Sequence, residues 1–236
     1  MATLADHVAQ VRLRLAAACA RAGRSPQDVT LVAATKTRAV AEIIELLDAG
    51  IRHLGENYVQ EFLDKREPID KARPGCVSWH LIGRLQRNKV KYVAGEVALV
   101  HSVDSLELAR EIDRRAGARG LIQPVLLEVN LLGEATKSGM APAEALPLAE
   151  QVLALPQVEL RGLMTMPPYS EAAEDSRPLF RQLAELAAEG VRAGLPASAL
   201  RELSMGMSGD FEVAVEEGAT LIRLGTVLFG PRPRPA

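Results

Sequence analysis

The sequence predicts a single closed (β/α)8 barrel, an α/β fold of TIM type with an additional N-terminal helix, over residues 1–236. Three observations predict it. Apolar runs and helical stretches alternate along the whole chain and supply eight strand candidates, the pattern of parallel strands joined by helices. An open, doubly wound sheet usually carries a glycine-rich nucleotide turn after its first strand, whereas Thr35-Lys36-Thr37-Arg38 stands there instead. No linker-like, low-complexity or strongly charged segment divides the chain, so one domain is expected, with 231–236 as a flexible tail.

Each element has its own justification. Met1 to Arg24 reads as an amphipathic helix, with Leu4, Val8, Val11, Leu15 and Ala18 along one stripe. Val29 to Ala34 has the length and β-branched content of a buried strand. The helix that follows covers Val40 to Ala49 and is closed by Gly50. His53-Leu54-Gly55 is a short second strand, and a helix begins near Val59. Val77 to Gly83 makes the third strand, followed by a short helix around Asn88 to Tyr92. Val97 to Val103 makes the fourth, and Asp104 or Ser105 caps a helix running to about Ala116. Pro124 to Val129 is the fifth strand. The helix over Ala143 to Leu153 has Pro142 in its first turn and ends at Pro156, while Pro147 inside it should kink it or delay its start. Val158 to Met164 is strand six, Ser176 to Ala193 a long helix, and Leu203 to Met205 strand seven. Phe211 to Glu217 is a short helix, and Leu221 to Leu224 closes the series.

Composition narrows the function. Hydrophobic residues make up 48% and charged residues 25% of the chain, ordinary for a globular protein. A net charge of -2 leaves no basic face for nucleic acid. No apolar stretch approaches the length of a membrane span and no signal-peptide core opens the chain, so a cytoplasmic protein without a membrane partner is expected. Cys19 and Cys76 lack metal-ligand spacing and read as reduced, structural thiols. The four histidines make no metal site, and His53 and His80, alternating with apolar residues, read as structural.

In a barrel the chemistry gathers at the C-terminal ends of the strands. Lys36 follows strand one, Glu56 and Asn57 strand two, and Gly83 and Arg84 strand three; Asp104, Asn130 and Met164 to Met166 follow further round. A lysine at such a mouth is partly desolvated, which favours the neutral amine that attacks a carbonyl. Ser204 to Asp210 after strand seven and Arg223 to Thr226 at strand eight are rich in small and hydroxyl residues. Free backbone N–H groups in such loops bind phosphate, and barrels commonly hold phosphate between these two loops. The plainer alternative is that the glycines permit a turn while Ser208 or Asp210 caps the next helix. Arg223 interrupts an apolar strand, and an inward guanidinium needs a planar or anionic partner, with a salt bridge to a barrel acid as the alternative. Amine, phosphate cradle and buried guanidinium together suit a heteroaromatic aldehyde carrying a phosphate ester. Pyridoxal 5'-phosphate is such a compound, with an aldimine expected on Lys36.

Ala33-Ala34-Thr35-Lys36, Gly55 to Glu61, Trp79 to Lys89, Gly162 to Met166, Leu203 to Asp210, Arg223 to Thr226 and Phe229-Gly230 together resemble the pyridoxal-phosphate homeostasis proteins, the YggS or PROSC family. The resemblance covers nearly the whole chain. It implies a fold-type III barrel similar to the cofactor domain of alanine racemase, with the cofactor on Lys36 and Asn57 beside it. It also implies Ser208, Gly225 and Thr226 at the phosphate, Arg223 facing the pyridine nitrogen, and Met166 lining the pocket. An arginine there leaves the ring nitrogen unprotonated, a poorer electron sink that disfavours transamination.

The expected function is therefore cofactor binding without strong catalysis: buffering intracellular pyridoxal phosphate and delivering it to apo-enzymes, as a monomer. A slow amino-acid racemase is the alternative. Because the sequence ends at Ala236, soon after strand eight, it is expected to lack the second domain from which the two-domain racemases take a tyrosine. A Schiff-base aldolase is the remote alternative. The Arg84-Arg87-Lys89 cluster is open to two readings, a second anion site or a solvated helix start.

Overall fold

The computed structural model describes residues 2–133 and 138–230. Eight parallel strands close in sequence order into one barrel: β1 (Thr30–Ala34), β2 (His53–Glu56), β3 (Ser78–Leu81), β4 (Leu99–Val103), β5 (Gln123–Glu128), β6 (Val158–Met164), β7 (Glu202–Ser204) and β8 (Leu221–Leu224). Closure comes from β1 beside β8, with Val32 opposite Arg223. The helices are α1 (Leu4–Arg21), α2 (Val40–Asp48), α3 (Val59–Ala72), α4 (Leu106–Gly117), α5 (Pro142–Leu153), α6 (Arg177–Arg192), α7 (Phe211–Glu216) and α8 (Thr226–Phe229).

The expected elements are all present, with differences that have physical reasons. The short helix between β3 and β4 is a 3₁₀ stretch, Arg87–Tyr92. Strand seven lies one residue earlier than expected, at Glu202–Ser204, because Met205 already leads into Gly206 at φ 90°. A Cβ on Gly206 would stand 2.5 Å from that of Ala214, so only glycine permits this turn. Pro147 does not delay α5, which starts at Pro142 and runs across it to Leu153. Burial of Ala145, Leu148, Ala149 and Val152 on the barrel offsets the one backbone bond that proline removes. Ser105, not Asp104, caps α4 by accepting from the Leu108 N–H. The tail 231–236, expected to be flexible, lies outside the described residues.

Apolar side chains form two separate clusters. The larger lies between strands and helices and includes Phe62, Phe180 and the α2 residues Ile43, Leu46 and Leu47. The smaller contains Val32, Ile82, Leu99, Leu126, Met164 and Leu221, contributed by six different strands and loops and therefore facing inward. Polar side chains also face the interior. His101 on β4 reaches Ser204 on β7, a contact that only the barrel interior allows.

α1 packs against α2, α7 and α8, burying Val8, Val11, Leu15, Ala18 and Cys19. Its outer face pairs Arg14 with Glu212 and Arg21 with Glu216 on α7. Among the described residues no helix is long and apolar enough to cross a membrane.

Candidate functional site at the barrel mouth

A cavity of about 350 Å³ opens at the C-terminal ends of the strands, and Lys36, Asn57, Met166, Ser208, Arg223, Gly225 and Thr226 all line it. Ala34 and Ile82 add apolar surface. These residues come from β1, β2, β3, β6, β7 and β8, so barrel closure alone brings them together.

Lys36 is half-buried just past β1, on a backbone under unusual constraint. The next residue, Thr37, has φ 63°, an uncommon value for a non-glycine residue. Its N–H donates to Glu61 Oε2 at 2.7 Å. Glu61 also accepts from Lys65 Nζ at 2.6 Å, and Lys65 donates in turn to the Thr35 carbonyl and to Glu56 Oε1 at 2.7 and 2.8 Å. One buried ammonium thus ties α3 to the chain on both sides of Lys36. Burial pushes the Glu56 carboxyl up despite these bonds. Burial alone would raise Glu61 as well, but the Lys65 and Thr37 donors hold it below the usual carboxylate range.

Asn57 follows β2, held by close backbone contact. A Cβ on Gly83 would sit 2.3 Å from the Asn57 carbonyl oxygen, so glycine is required for the β2 and β3 loops to meet. Asn57 Oδ1 is buried and has no hydrogen-bond donor among the described residues. That is an acceptor left for something entering the cavity.

The loops after β7 and β8 are joined by Ser208, whose Oγ accepts from the N–H groups of Gly225 and Val227 at 3.2 and 3.3 Å. Asp210 stands at the N-cap position of α7, but neither its side chain nor that of Ser208 makes a capping bond there. Asp210 instead accepts from the Met207 N–H and the Ser176 hydroxyl, closing the β7 loop on itself. Thr226 is exposed at the rim, and Met166, 43% exposed, forms a wall.

Arg223 is 5% exposed and makes no salt bridge among the described residues. It donates to Ser204 Oγ at 2.5 Å and to the Thr165 carbonyl at 2.9 Å. Burial pulls its pKa down to about 10, while Glu128 and Asp210 act in the opposite direction, so the guanidinium stays charged near neutral pH. Burial raises Glu128, against a bond from the Ser138 hydroxyl. Arg84 is exposed and acts on Glu128 through its charge, whereas Lys89 and Lys91 lie over the Tyr92 ring.

Sequence reasoning missed Lys65 and His101, and named Glu61 and Ser204 only as members of motifs, without their partners in this second layer of the site. The available signals were an acid in an apolar strand (Glu56), a Glu61–Lys65 pair one helical turn apart, and a histidine in each of three successive strands.

Comparisons agree with this geometry. Residues 7–233 match the family model for the alanine racemase N-terminal domain. A pyridoxal phosphate homeostasis protein of Aquifex aeolicus is 49% identical over 227 residues, 96% of this chain and 97% of that one. PipY of Synechococcus elongatus, solved with PLP bound, superposes with a TM-score of 0.84 at 39% identity, over 97% of this chain and 100% of that one. An alanine racemase of Clostridium difficile shares the fold, with a TM-score of 0.71 at 16% identity over 95% of this chain and 56% of its own. Near-full-length identity at this level, on a barrel whose mouth gathers the lysine, arginine and hydroxyl residues into one cavity, places the chain in the alanine racemase N-terminal domain family, among its pyridoxal phosphate homeostasis proteins.

Proposed function

We propose that this protein binds pyridoxal 5'-phosphate at the barrel mouth and takes part in pyridoxal phosphate homeostasis, buffering the cofactor and handing it to apo-enzymes rather than acting as a strong catalyst. The observation that carries the reading is the shared cavity of Lys36, Arg223 and the Ser208–Gly225–Thr226 loops. The PLP-bound PipY structure supports it.

The residues fit the cofactor. A cavity of about 350 Å³ is within the range of small-ligand sites. Asn57 Oδ1 lacks a donor among the described residues, and a ring substituent can supply one. When bound, the cofactor supplies an aldehyde that condenses with a primary amine and a phosphate that carries most of the anchoring charge. Lys36 offers the amine, with the Glu61–Lys65–Glu56 group fixing the backbone beside it. Ala34 and Ile82 give the ring an apolar seat. Arg223 faces the ring nitrogen as an obligate donor, so it holds that nitrogen as an acceptor. Ser208, Gly225 and Thr226 receive the phosphate, whose oxygens share the N–H groups now directed at Ser208 Oγ. Free Cys19 and Cys76 suit a reducing compartment, and we read the protein as a cytoplasmic monomer.

The test is the visible spectrum of the protein with added pyridoxal phosphate, before and after borohydride, with peptide mapping. The expected result is a band that disappears on reduction and an adduct on Lys36, both lost in Lys36→Ala while weaker phosphate-dependent affinity persists. An adduct on another lysine, or none, would overturn the assignment. Transfer to an apo-enzyme, set against exchange of the α-hydrogen of added amino acids, separates the carrier from a slow racemase.

A further inference from the structure

A continuous hydrogen-bonded chain crosses the barrel interior. His53 Nδ1 meets His80 Nε2 at 2.9 Å, His80 Nδ1 meets His101 Nε2 at 2.9 Å, and His101 Nδ1 meets Ser204 Oγ at 2.8 Å. Ser204 Oγ then meets Arg223 Nη1 at 2.5 Å. The chain starts at the first residue of β2, on the N-terminal face, and ends at the guanidinium in the mouth cavity. His80, His101 and Ser204 are buried. His53 is half-buried and lines a separate cavity of about 490 Å³ that opens on the N-terminal face.

The chain has a direction. A guanidinium can only donate, so Ser204 Oγ accepts from Arg223. Among the described residues the one acceptor recorded for the Ser204 hydroxyl proton is His101 Nδ1. His101 must then carry its proton on Nε2 and donate to His80 Nδ1, and His80 likewise donates from Nε2 to His53 Nδ1. All three imidazoles are neutral Nε2–H tautomers, and the last N–H points away from the chain. A proton added to His53 Nδ1 would face the His80 Nε2–H across 2.9 Å. The conflict is relieved when each proton of the chain sits one place nearer His53, with the His80 Nε2 proton on His53 Nδ1, the His101 Nε2 proton on His80 Nδ1, the Ser204 hydroxyl proton on His101 Nδ1 and the one proton gained from solvent on Ser204 Oγ. Ser204 then no longer points its proton down the chain beside Arg223.

We infer that His80, His101 and Ser204 are positioning residues through which the protonation of His53 on the N-terminal face governs how Arg223 is presented to the cofactor on the opposite face. The charged groups around this path are few. His53 shares its cavity with Arg12 of α1 and Arg52 of its own loop and meets His80 of β3. His101 meets His80 and Arg223, and Arg223 is acted on by Glu128 and Asp210. Burial pushes His53 below the ordinary imidazole value and His80 to about 3, in keeping with neutral tautomers. The coupling to cofactor rests on the reading under Proposed function; the polarity of the chain does not.

Two measurements test the two parts separately. On the cofactor-free wild-type protein, ¹⁵N-detected imidazole NMR at pH 8 is expected to show His53, His80 and His101 all as Nε2–H tautomers. An Nδ1–H tautomer at any of them would overturn the polarity whether or not the cofactor binds. Pyridoxal phosphate affinity is then followed as the pH is lowered from 8, since burial moves the His53 titration below the ordinary imidazole value, in wild type and in His53→Gln. Glutamine does not titrate and lies far from the mouth, so the two proteins should bind equally at pH 8. The wild type should weaken several-fold more on acidification. Subtracting the two profiles removes the titration of the phosphate and of the lysine, which they share. Superimposable profiles would refute the coupling, and absence of binding in both proteins would instead refute the function.

Discussion

The layer between strands and helices and the interior of the barrel are built on opposite principles. The outer layer is almost wholly apolar: Phe62 packs edge-on to Trp79 at 5.5 Å between ring centroids, and Phe180, Leu183 and Ile112 fill equivalent places elsewhere. The interior has a smaller apolar cluster and also carries three histidines, Ser204 and Arg223. Burial by itself is non-directional and tolerates many partners. Buried polar groups demand specific partners at specific angles. The outer layer therefore holds the barrel closed, while the interior determines what its mouth presents.

Phe62→Ala breaks the outer layer alone and is expected to have the largest effect on stability. Removing a fully buried phenyl ring costs about 3–5 kcal/mol, read as a lower urea midpoint with an unchanged m-value. A loss below about 1 kcal/mol would mean that the shell contributes less than its burial indicates.

The interior should reveal itself through pH. His80 and His101 have folded-state pKa values far below those of exposed imidazole, so below about 6.5 the unfolded chain binds protons that the folded chain does not. Stability is complete above that value and falls as pH decreases, by about 1.4 kcal/mol per pH unit for each imidazole kept neutral. The raised carboxyls of Glu56 and Glu128 act with the opposite sign, but the larger imidazole shifts set the slope. Unfolding free energies at pH 7 and 5.5 provide the check, and a flat profile would mean that the histidines are not held neutral.

Ser208→Ala sharpens the comparison at its small end, since Ser208 belongs to neither layer. Loss of the two N–H contacts at its hydroxyl costs about 1 kcal/mol of loop order and phosphate affinity, seen as roughly five-fold weaker pyridoxal phosphate binding in equilibrium dialysis. Unchanged affinity would place the phosphate elsewhere.

The two regions also differ in how far they can be read from sequence. The shell is periodic: the α1 stripe of Val8, Val11, Leu15 and Ala18 and the buried runs of β1 and β8 are visible because one side of each element is apolar. Single anomalies at strand ends were legible as well, Lys36 after β1 and Arg223 within β8, because a charge in an apolar run requires a reason. The histidine chain was not. His53, His80 and His101 each look like an isolated polar residue in a strand, and a plain structural role was the reasonable reading of the first two. Their meaning arises from contacts spanning 27, 21 and 103 residues in sequence, which no local pattern encodes. The Lys65 cluster was half-visible, since the turn from Glu61 to Lys65 is local while Glu56 and the Thr35 carbonyl are not.

By itself the sequence determined the barrel, its N-terminal helix and the grouping of Lys36, Asn57, Met166, Ser208, Arg223, Gly225 and Thr226 around one cavity at the mouth. Periodicity and rare charges are local properties that survive without coordinates. The tertiary structure alone decided that Ser208 bridges two loops instead of capping a helix, that Arg223 is held by Ser204 and the Thr165 carbonyl instead of a carboxylate, and that three histidines join one face of the barrel to the other. The physical reason is closure. Only when β8 meets β1 do residues far apart in sequence share one interior, where each buried polar group must find its partner across the lumen.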